Sequence, residues 1–331
     1  MIISRTPFRI SFFGGGTDYP DWYREHGGAV LATTIDKYCY ISVRELPPFF
    51  DHSFRVVYSV VENVKQVADI KHPAVRGVLE HLGIERGLEI HHDGDLPARS
   101  GLGSSSAFTV GLLTAITALE GRYISKDDLA ATAIQVEQCR LREPVGTQDQ
   151  ISAAFGGFNH IVFRSGGGYE IRPMILPRNR LEELQDHLML VFTGISRNAA
   201  DIAQHQIGNL KQRAPELNAL AEMVNEGIAL LSSPSTDLVE FGHLLAEGWA
   251  LKRRLADAVS NDTVDAIYDA AMRAGAVGGK LLGAGGGGFL LLFVKPSDQG
   301  RVAEALRDFI RVPVRFDVSG SRVVLYQPDG L

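Results

Sequence analysis

The sequence is poor in cysteine, the residue that holds many small secreted and zinc-binding proteins together. It has two cysteines in 331 residues, Cys39 and Cys139, and neither belongs to a CxxC pair or to a histidine cluster at metal-ligand spacing. This scarcity argues against a disulfide framework and against a structural zinc site. It fits a reducing compartment, and we expect two ordinary buried thiols.

The sequence also lacks a long apolar segment and a secretory signal. Its longest apolar run, residues 281–294, contains five glycines and is shorter than a membrane span. The N-terminal segment MIISRTPFRISFFGGG has no charged region followed by an apolar stretch and a cleavage site. We therefore expect a cytoplasmic protein that does not associate with membranes.

An excess of positive charge is lacking as well. The 33 lysines and arginines are outnumbered by 39 aspartates and glutamates, which gives a formal net charge of −6. This balance argues against a nucleic-acid partner, whose footprint is usually a basic patch. With 45% hydrophobic and 22% charged residues, the chain has the composition of a globular protein that buries its core without disulfides.

Apolar alternation and helical spacing predict strands and helices in both halves of the chain. Strands are predicted at residues 2–13, 29–45 (as two strands), 87–92, 187–193, 289–294, 313–318 and 322–326. Helices are predicted at residues 104–119, 126–141, shortly after 147, in several segments over 198–273, and at 298–309. This order indicates an α+β protein. We expect two domains, residues 1–178 and 179–331, with an active site in the cleft between them.

A glycine-rich loop, PARSGLGSSSA, leads directly into the helix predicted from residue 104. Glycines let the backbone approach a ligand closely, and the free N–H groups at a helix start bind phosphate. The serines add hydroxyl donors and an oxygen ligand suited to Mg²⁺. The alternative is a flexible turn before a serine-capped helix, and composition alone leaves both open. The residues predicted to bind phosphate are Pro97, Ser100, Gly101, Leu102, Gly103, Ser104, Ser105 and Ser106.

Two better-known phosphate loops are excluded. The segment GLGSSS has serine where the dinucleotide fingerprint requires its third glycine. No stretch fits GxxxxGK[ST], because Gly278-Gly279-Lys280 is followed by Leu281. A nucleotide-binding oxidoreductase is therefore disfavoured.

The first predicted strand carries Arg9 and ends in a glycine turn, Gly14-Gly15-Gly16, followed by Thr17 and Asp18. The Asp18 carboxylate can accept hydrogen bonds from two adjacent sugar hydroxyls. Arg9 can orient a carboxylate or balance phosphate charge. The alternative for Asp18 is an ordinary turn residue.

Two further acidic residues have chemical and structural interpretations. Asp149 stands in Gly-Thr-Gln-Asp-Gln at a predicted helix start, where it is either a helix cap or a group that orients or deprotonates an incoming hydroxyl. Glu137 lies in the preceding predicted helix, where it either completes a Mg²⁺ site or is simply solvated.

A second glycine-rich segment, KLLGAGGGGF, contains Gly285, Gly286 and Gly287 immediately before a predicted strand. Four consecutive glycines imply close backbone approach or unusual backbone dihedrals. The alternative is a hairpin loop without a ligand.

Taken together and in order, three segments make the chain resemble the GHMP kinases, the family of galactokinase, homoserine kinase, mevalonate kinase and phosphomevalonate kinase. They are Arg5–Tyr19, Pro97–Ala107 and Lys280–Phe289. The resemblance implies an N-terminal domain like ribosomal protein S5 domain 2 and a ferredoxin-like C-terminal domain. It also implies ATP as phosphoryl donor and Mg²⁺ as cofactor.

The resemblance implies residue roles as well. Asp149 matches the catalytic aspartate, and Arg9 matches the arginine beside it. Ser104 and Glu137 match the Mg²⁺ ligands, and Asp18 matches the sugar-binding aspartate. The glycine-rich loop at residues 97–106 becomes the ATP site, residues 15–18 the substrate site, and residues 285–287 a glycine motif near the active site.

The chain also departs from galactokinase, which has glutamate and histidine where this sequence has Gly15 and Gly16. Gly-Gly-Gly-Thr-Asp and the segment FTGISRNAA resemble instead the heptose-phosphate kinases of the family. For such a substrate we expect Arg197 to bind the distal phosphate, with a solvated helix-start arginine as the alternative. A fucokinase-like or galactokinase-like sugar kinase and a catalytically silent sugar or ATP sensor remain as alternatives, and we allow for a homodimer.

Overall fold

Two β-sheets organise the chain in the computed structural model, which describes residues 1–195 and 199–329. The larger sheet has nine strands, six of them in the order β13-β1-β2-β5-β3-β4. The nine are β1 (Ile2–Phe13), β2 (Gly28–Glu45), β3 (Phe54–Val57), β4 (Val61–Val64), β5 (Leu88–Gly94), β6 (Phe158–Phe163), β7 (Tyr169–Pro173), β12 (Phe316–Asp317) and β13 (Arg322–Tyr326). The smaller sheet has the order β11-β8-β10-β9. Its strands are β8 (Leu188–Phe192), β9 (Ala276–Leu281), β10 (Phe289–Val294) and β11 (Ile310–Val312).

Helices are distributed over both sheets. They are α1 (Pro20–His26), α2 (Pro73–Leu82), α3 (Ser104–Leu119), α4 (Lys126–Ile134), α5 (Gln148–Phe155), α6 (Arg178–Asp186), α7 (Ala199–Asn209), α8 (Ala214–Ser232), α9 (Val239–Arg253), α10 (Asp262–Arg273) and α11 (Gln299–Ala305). A π-helical segment, Gln135–Arg140, continues α4. Among the described residues, no helix has the length and apolar character needed to cross a membrane. The predicted α+β class is confirmed. Cys39 is buried as expected, but the expectation is wrong for Cys139, which is exposed because the π-helical segment buries Val136 and Glu137 instead.

The prediction of two strands within residues 29–45 is wrong, because this segment is part of the single long strand β2. Its first part pairs with β6 and its last part with β5, and β1 pairs along most of its length. The polar middle stays extended because it is hydrogen-bonded across the sheet. The Thr34 hydroxyl donates to the Asp317 carbonyl at 2.7 Å, and the Asp36 amide donates to the Arg315 carbonyl at 2.8 Å.

The last two strands return to the larger sheet. Strand β13 pairs with β1, and the short strand β12 pairs with β2. The two sheets are therefore not consecutive halves of the chain. The division between residues 178 and 179 stays a prediction, and it falls at the beginning of α6.

Helix α3 is the element that positions the first glycine-rich loop. It packs on β1 and β2, and thirteen of its sixteen residues are buried. Close approach to β1 depends on Gly111, where a Cβ atom would lie 2.8 Å from the Thr6 Oγ1. The N-terminus of α3 is consequently fixed next to β1, the strand that carries Arg9.

Candidate active site

The first glycine-rich loop has a backbone shape that depends on glycine. Gly101 and Gly103 have φ angles of 81° and 73°, and Gly103 is the N-cap of α3. Because glycine has no side chain, no capping hydrogen bond satisfies the first-turn amides of this helix. Those amides are suited to an anion. Nearby, the buried Ser100 hydroxyl also lacks a hydrogen-bond partner within the part of the chain that the structure describes.

The backbone of the second glycine-rich segment packs directly against this loop. A Cβ atom on Gly283 would lie 2.5 Å from the Gly101 Cα, and one on Gly288 would lie 2.2 Å from the Ser100 carbonyl oxygen. The Phe289 amide donates to the same Ser100 carbonyl at 3.1 Å. The expected close backbone approach is present.

The glycines shown to contact the loop, Gly283 and Gly288, flank the three glycines predicted to lie near the active site, and that prediction stays a prediction. A Cβ atom on Gly285 would clash with Val259, and the Gly286 amide donates to the Val259 carbonyl at 3.0 Å. A Cβ atom on Gly287 would clash with Ile195. Residues 285–287 therefore pack on Val259 and Ile195.

Arg9 joins the phosphate loop to Asp149. Its Nε and Nη2 donate to the two oxygens of Asp149 at 2.7 and 2.9 Å, and its Nη1 donates to the Gly101 carbonyl at 2.7 Å. The Arg9 amide also donates to the Leu102 carbonyl at 3.0 Å. The Arg9 side chain is 6% exposed and that of Asp149 is 27% exposed. A planar guanidinium thus fixes a carboxylate that remains reachable from the cleft.

Asp18 lies beside this pair, but it is buried. Its Oδ1 accepts from the Gly16 amide at 3.0 Å, and its Oδ2 accepts from the Gln148 Nε2 at 3.0 Å. Burial, and then the charge of Asp149, raise the pKa of Asp18. Gly146 is required here, because a Cβ atom on it would lie 1.9 Å from the Asp18 Oδ2.

The other residues predicted to bind substrate take different positions. Thr17 is fully buried, and its hydroxyl donates to the Gly14 and Ala29 carbonyls, so it holds the turn together. A Cβ atom on Gly15 would lie 3.8 Å from the Ser11 Oγ and 3.9 Å from the Gln148 Nε2, whereas one on Gly16 would lie 3.2 Å from the Leu217 Cδ2. Arg197 lies outside the described residues.

Glu137 is the buried acid of the site. Its Oε2 accepts from the Ser106 hydroxyl at 2.8 Å and from the Gln150 amide, whereas its Oε1 has no hydrogen-bond partner among the described residues. Burial raises the pKa of Glu137 to about 7. The structure brings Glu137 together with Ser106 and not with Ser104, whose hydroxyl accepts from the Arg99 amide at 3.1 Å.

This arrangement fits a magnesium ion shared with phosphate. Mg²⁺ is commonly held by one or two carboxylates together with substrate phosphates. The described residues contain no group of three or more histidine, cysteine, aspartate or glutamate side chains that would hold a metal alone. The unpartnered Oε1 of Glu137, near the start of α3, can serve as the single carboxylate ligand. Ser106 is the hydroxyl beside it.

Two buried lysines also belong to the site, although the sequence pattern gave no role to either. The Lys252 Nζ donates to the carbonyls of Leu281 and Gly283, and the Lys280 Nζ donates to the Phe12 carbonyl at 2.7 Å. Burial, and then the neighbouring Arg9, lower the pKa of Lys252 to about 7. Lys252 thereby holds the backbone that meets Gly101. A lysine in a helical pattern is ordinarily solvated, so no signal could have identified it.

Replacing Glu137 with glutamine is expected to stabilise the protein when ATP and Mg²⁺ are absent. Burial raises the pKa of the wild-type Glu137 carboxyl from 4.5 to about 7. Its contribution to the free energy of unfolding is therefore present at low pH and is lost as pH rises through about 7. Above about pH 7 the folded wild type carries a buried charge that costs about 3 kcal/mol. Thermal melts in EDTA should show a higher Tm for E137Q at about pH 8 and a smaller difference at about pH 5.

Catalysis should change in the opposite direction in E137Q. A neutral glutamine amide is a weaker Mg²⁺ ligand than a carboxylate, so if Glu137 holds Mg²⁺ we expect turnover to fall sharply and metal dependence to weaken. Kinetic titrations with Mg²⁺ measure this change. Titration curves identical to those of the wild type would contradict the assignment.

Comparison with known families agrees with the fold. The model of the GHMP kinases N terminal domain matches residues 65–157, and the model of the GHMP kinases C terminal domain matches residues 228–312. These matches include the phosphate loop, Glu137, Asp149 and the second glycine-rich segment. The chain therefore belongs to the GHMP kinases, a family of phosphotransferases.

Individual relatives cover most of the chain. It is 30% identical over 316 residues to the D-glycero-alpha-D-manno-heptose 7-phosphate kinase of Campylobacter jejuni, covering 92% of this chain and 93% of that protein. It is 26% identical to the bifunctional fucokinase/GDP-fucose pyrophosphorylase of Arabidopsis thaliana, covering 94% of this chain and 31% of that protein. A crystal structure of a D-glycero-D-manno-heptose 1-phosphate kinase from Bacteroides thetaiotaomicron has a TM-score of 0.80 at 24% identity, covering 98% of both chains.

Proposed function

We propose that the protein uses ATP and Mg²⁺ to phosphorylate D-glycero-D-manno-heptose 7-phosphate at its anomeric hydroxyl, giving the 1,7-bisphosphate. The observation that supports the proposal most directly is the set of hydrogen bonds that Arg9 donates. One guanidinium binds both oxygens of Asp149 and the Gly101 carbonyl of the phosphate loop. It therefore couples the group that receives the substrate hydroxyl to the loop that receives the phosphoryl donor.

The phosphate loop and the first-turn amides of α3 are the proposed site for the ATP phosphates. Ser104 and Ser105 lie in this first turn, and neither is fully buried. Glu137, together with Ser106 or Ser104, would hold Mg²⁺. When bound, the metal would neutralise charge on the phosphates.

Asp149 acts on the acceptor hydroxyl in this proposal. Because Arg9 fixes both carboxylate oxygens, Asp149 can orient the hydroxyl and accept its proton without rearranging. Phosphoryl transfer depends mostly on positioning and on charge stabilisation. The guanidinium of Arg9 adds positive charge where negative charge develops.

Two observations support a heptose phosphate. Gly15 carries no side chain beside Ser11 and Gln148, which suits a larger sugar than galactose. Two of the relatives are named as heptose kinases, although one name specifies the 7-phosphate and the other the 1-phosphate. We favour the 7-phosphate as substrate, because the relative of that name has the higher sequence identity. Arg197 is proposed, from sequence, to bind its distal phosphate.

The test is ATP consumption against a panel of sugars and sugar phosphates, with NMR of the product. We expect the heptose 7-phosphate to give the highest kcat/KM and a new phosphate at the anomeric carbon. A neutral sugar used equally well would reject the heptose 7-phosphate and favour a fucokinase-like or galactokinase-like activity. Binding without turnover of any sugar would indicate a sensor.

A further inference from the structure

Gln206 is a buried residue of α7 whose side-chain amide forms two hydrogen bonds, one toward each side of the candidate site. It is 4% exposed. Its Nε2 donates to the Ala284 carbonyl at 2.8 Å, and its Oε1 accepts from the Tyr19 hydroxyl at 3.4 Å. Ala284 belongs to the second glycine-rich segment, and Tyr19 directly follows Asp18. One side chain of α7 thus joins two parts of the site that are far apart in sequence.

The Ala284 end of this connection lies next to the phosphate loop. Gly283 directly precedes Ala284, and its carbonyl accepts from the Lys252 Nζ. A Cβ atom on Gly283 would lie 2.5 Å from the Gly101 Cα, so the two backbones are in contact. The hydrogen bond from Gln206 therefore holds the stretch of backbone that packs against the phosphate loop.

The Tyr19 end lies next to the turn that carries Asp18. Tyr19 is 7% exposed and is the N-cap residue of α1. Burial, and then the charges of Asp18 and Asp149, raise the pKa of Tyr19, so its phenol stays protonated and donates. The Ala284 carbonyl only accepts, so the Gln206 nitrogen faces Ala284 and the oxygen faces Tyr19. Among the described residues, Gln206 is the one side chain that accepts from this buried hydroxyl.

The two hydrogen bonds of Gln206 differ in length. The bond to the Ala284 carbonyl, at 2.8 Å, has an ordinary length, whereas 3.4 Å is long for a bond between two oxygens. Hydrogen bonds at an active site are often long in the free protein and shorten when the ligands bind. The Tyr19–Gln206 bond is consequently the part of the connection that binding can tighten.

We propose that Gln206 is a positioning residue that couples sugar binding to nucleotide binding. A sugar bound beside Asp18 holds Tyr19 in place, and the bonds from Tyr19 to Gln206 and from Gln206 to Ala284 extend this order to the backbone that packs on the phosphate loop. Because each ligand orders part of the network that the other requires, either one strengthens binding of the other. The inference rests on the proposed sugar kinase activity and adds to it a synergy between the two substrates.

The first test replaces Gln206 with leucine, which has a similar size but forms no hydrogen bond. Calorimetry measures the Kd for AMP-PNP with Mg²⁺, with and without saturating D-glycero-D-manno-heptose 7-phosphate, and the analogue prevents turnover. For the wild type we expect the sugar phosphate to lower this Kd by about fivefold or more. In Q206L the ratio of the two Kd values should fall to about one. A wild-type ratio in folded Q206L would overturn the role of Gln206.

The matched control is Asn209→Leu, in the same helix. The Asn209 Nδ2 donates to the Leu255 carbonyl at 3.1 Å, and Leu255 belongs neither to the turn at Asp18 nor to the second glycine-rich segment. N209L removes the same kind of amide–carbonyl hydrogen bond, so it should lower Tm about as much as Q206L does but keep the wild-type ratio of Kd values. Loss of the ratio in both variants would mean that the packing of α7, and not Gln206, produces the synergy.

The second test replaces Tyr19 with phenylalanine, which removes only the hydroxyl and leaves the Ala284 bond in place. Y19F should reduce the ratio of Kd values as Q206L does, and the double variant Y19F/Q206L should show no further reduction, because both changes break the same connection. A wild-type ratio in Y19F would show that the sugar side does not act through Tyr19, and it would refute the proposed coupling.

Failure of the coupling and failure of the proposed activity give different results. If the wild type phosphorylates a sugar of the panel and that sugar leaves the Kd for AMP-PNP unchanged, only the coupling is wrong. If the wild type phosphorylates none of them, the kinase proposal fails and the coupling fails with it.

Discussion

Replacing Asp149 with asparagine is expected to lower kcat by about 10²–10⁴-fold. Asparagine keeps the shape of the side chain but removes the charge and one acceptor. Its amide group would also meet an N–H group of Arg9, since the guanidinium now donates to both Asp149 oxygens. The hydroxyl of the substrate would then face a weaker acceptor in a less fixed position.

The measurement is steady-state ADP release together with nucleotide binding by calorimetry. D149N should bind ATP normally, because Arg9 keeps its own hydrogen bonds to the Gly101 and Leu102 carbonyls of the phosphate loop. Asp308→Asn is a matched control with the same change in net charge at an exposed position. Near wild-type kcat in folded D149N would reject the assigned role of Asp149.

Those parts of the site that depend on local backbone could be predicted from sequence. The helix predicted from Ser104 is α3, because the glycines before it and the apolar residues within it mark its beginning in the local sequence. The strand at residues 289–294 is likewise β10, since a continuous apolar run follows the glycines. Both elements lie next to the glycine-rich segments that carried the family resemblance.

Features set by tertiary contacts could not be predicted in this way. The pairing of Glu137 with Ser106 depends on which face the π-helical segment turns toward α3. Gly283 and Gly288 contact the phosphate loop, whereas Gly285 and Gly287 contact Val259 and Ile195. The direction of each residue is set by long-range packing of the segment, which the sequence does not show. The return of β13 to pair with β1 joins opposite ends of the chain, so no local pattern indicates it.

Replacing Arg9 with lysine is expected to reduce kcat by about 10²-fold, although the positive charge is kept. A lysine has no planar fork, so it cannot bind both Asp149 oxygens and the Gly101 carbonyl together. The Asp149 carboxylate and the phosphate loop would then no longer be hydrogen-bonded to the same side chain. Steady-state kinetics with saturating ATP and sugar phosphate measure the loss.

The double variant R9K/D149N separates a shared role from two independent ones. If Arg9 acts mainly by holding Asp149, the double variant should be little slower than D149N, because the second change removes a function already lost. If Arg9 instead stabilises the transferring phosphoryl group by its own charge, the two losses should multiply. The three hydrogen bonds of the guanidinium, two to Asp149 and one to the loop, favour the first outcome. Fully multiplicative losses would mean that Arg9 stabilises the transferring phosphoryl group directly and that Asp149 acts independently of Arg9.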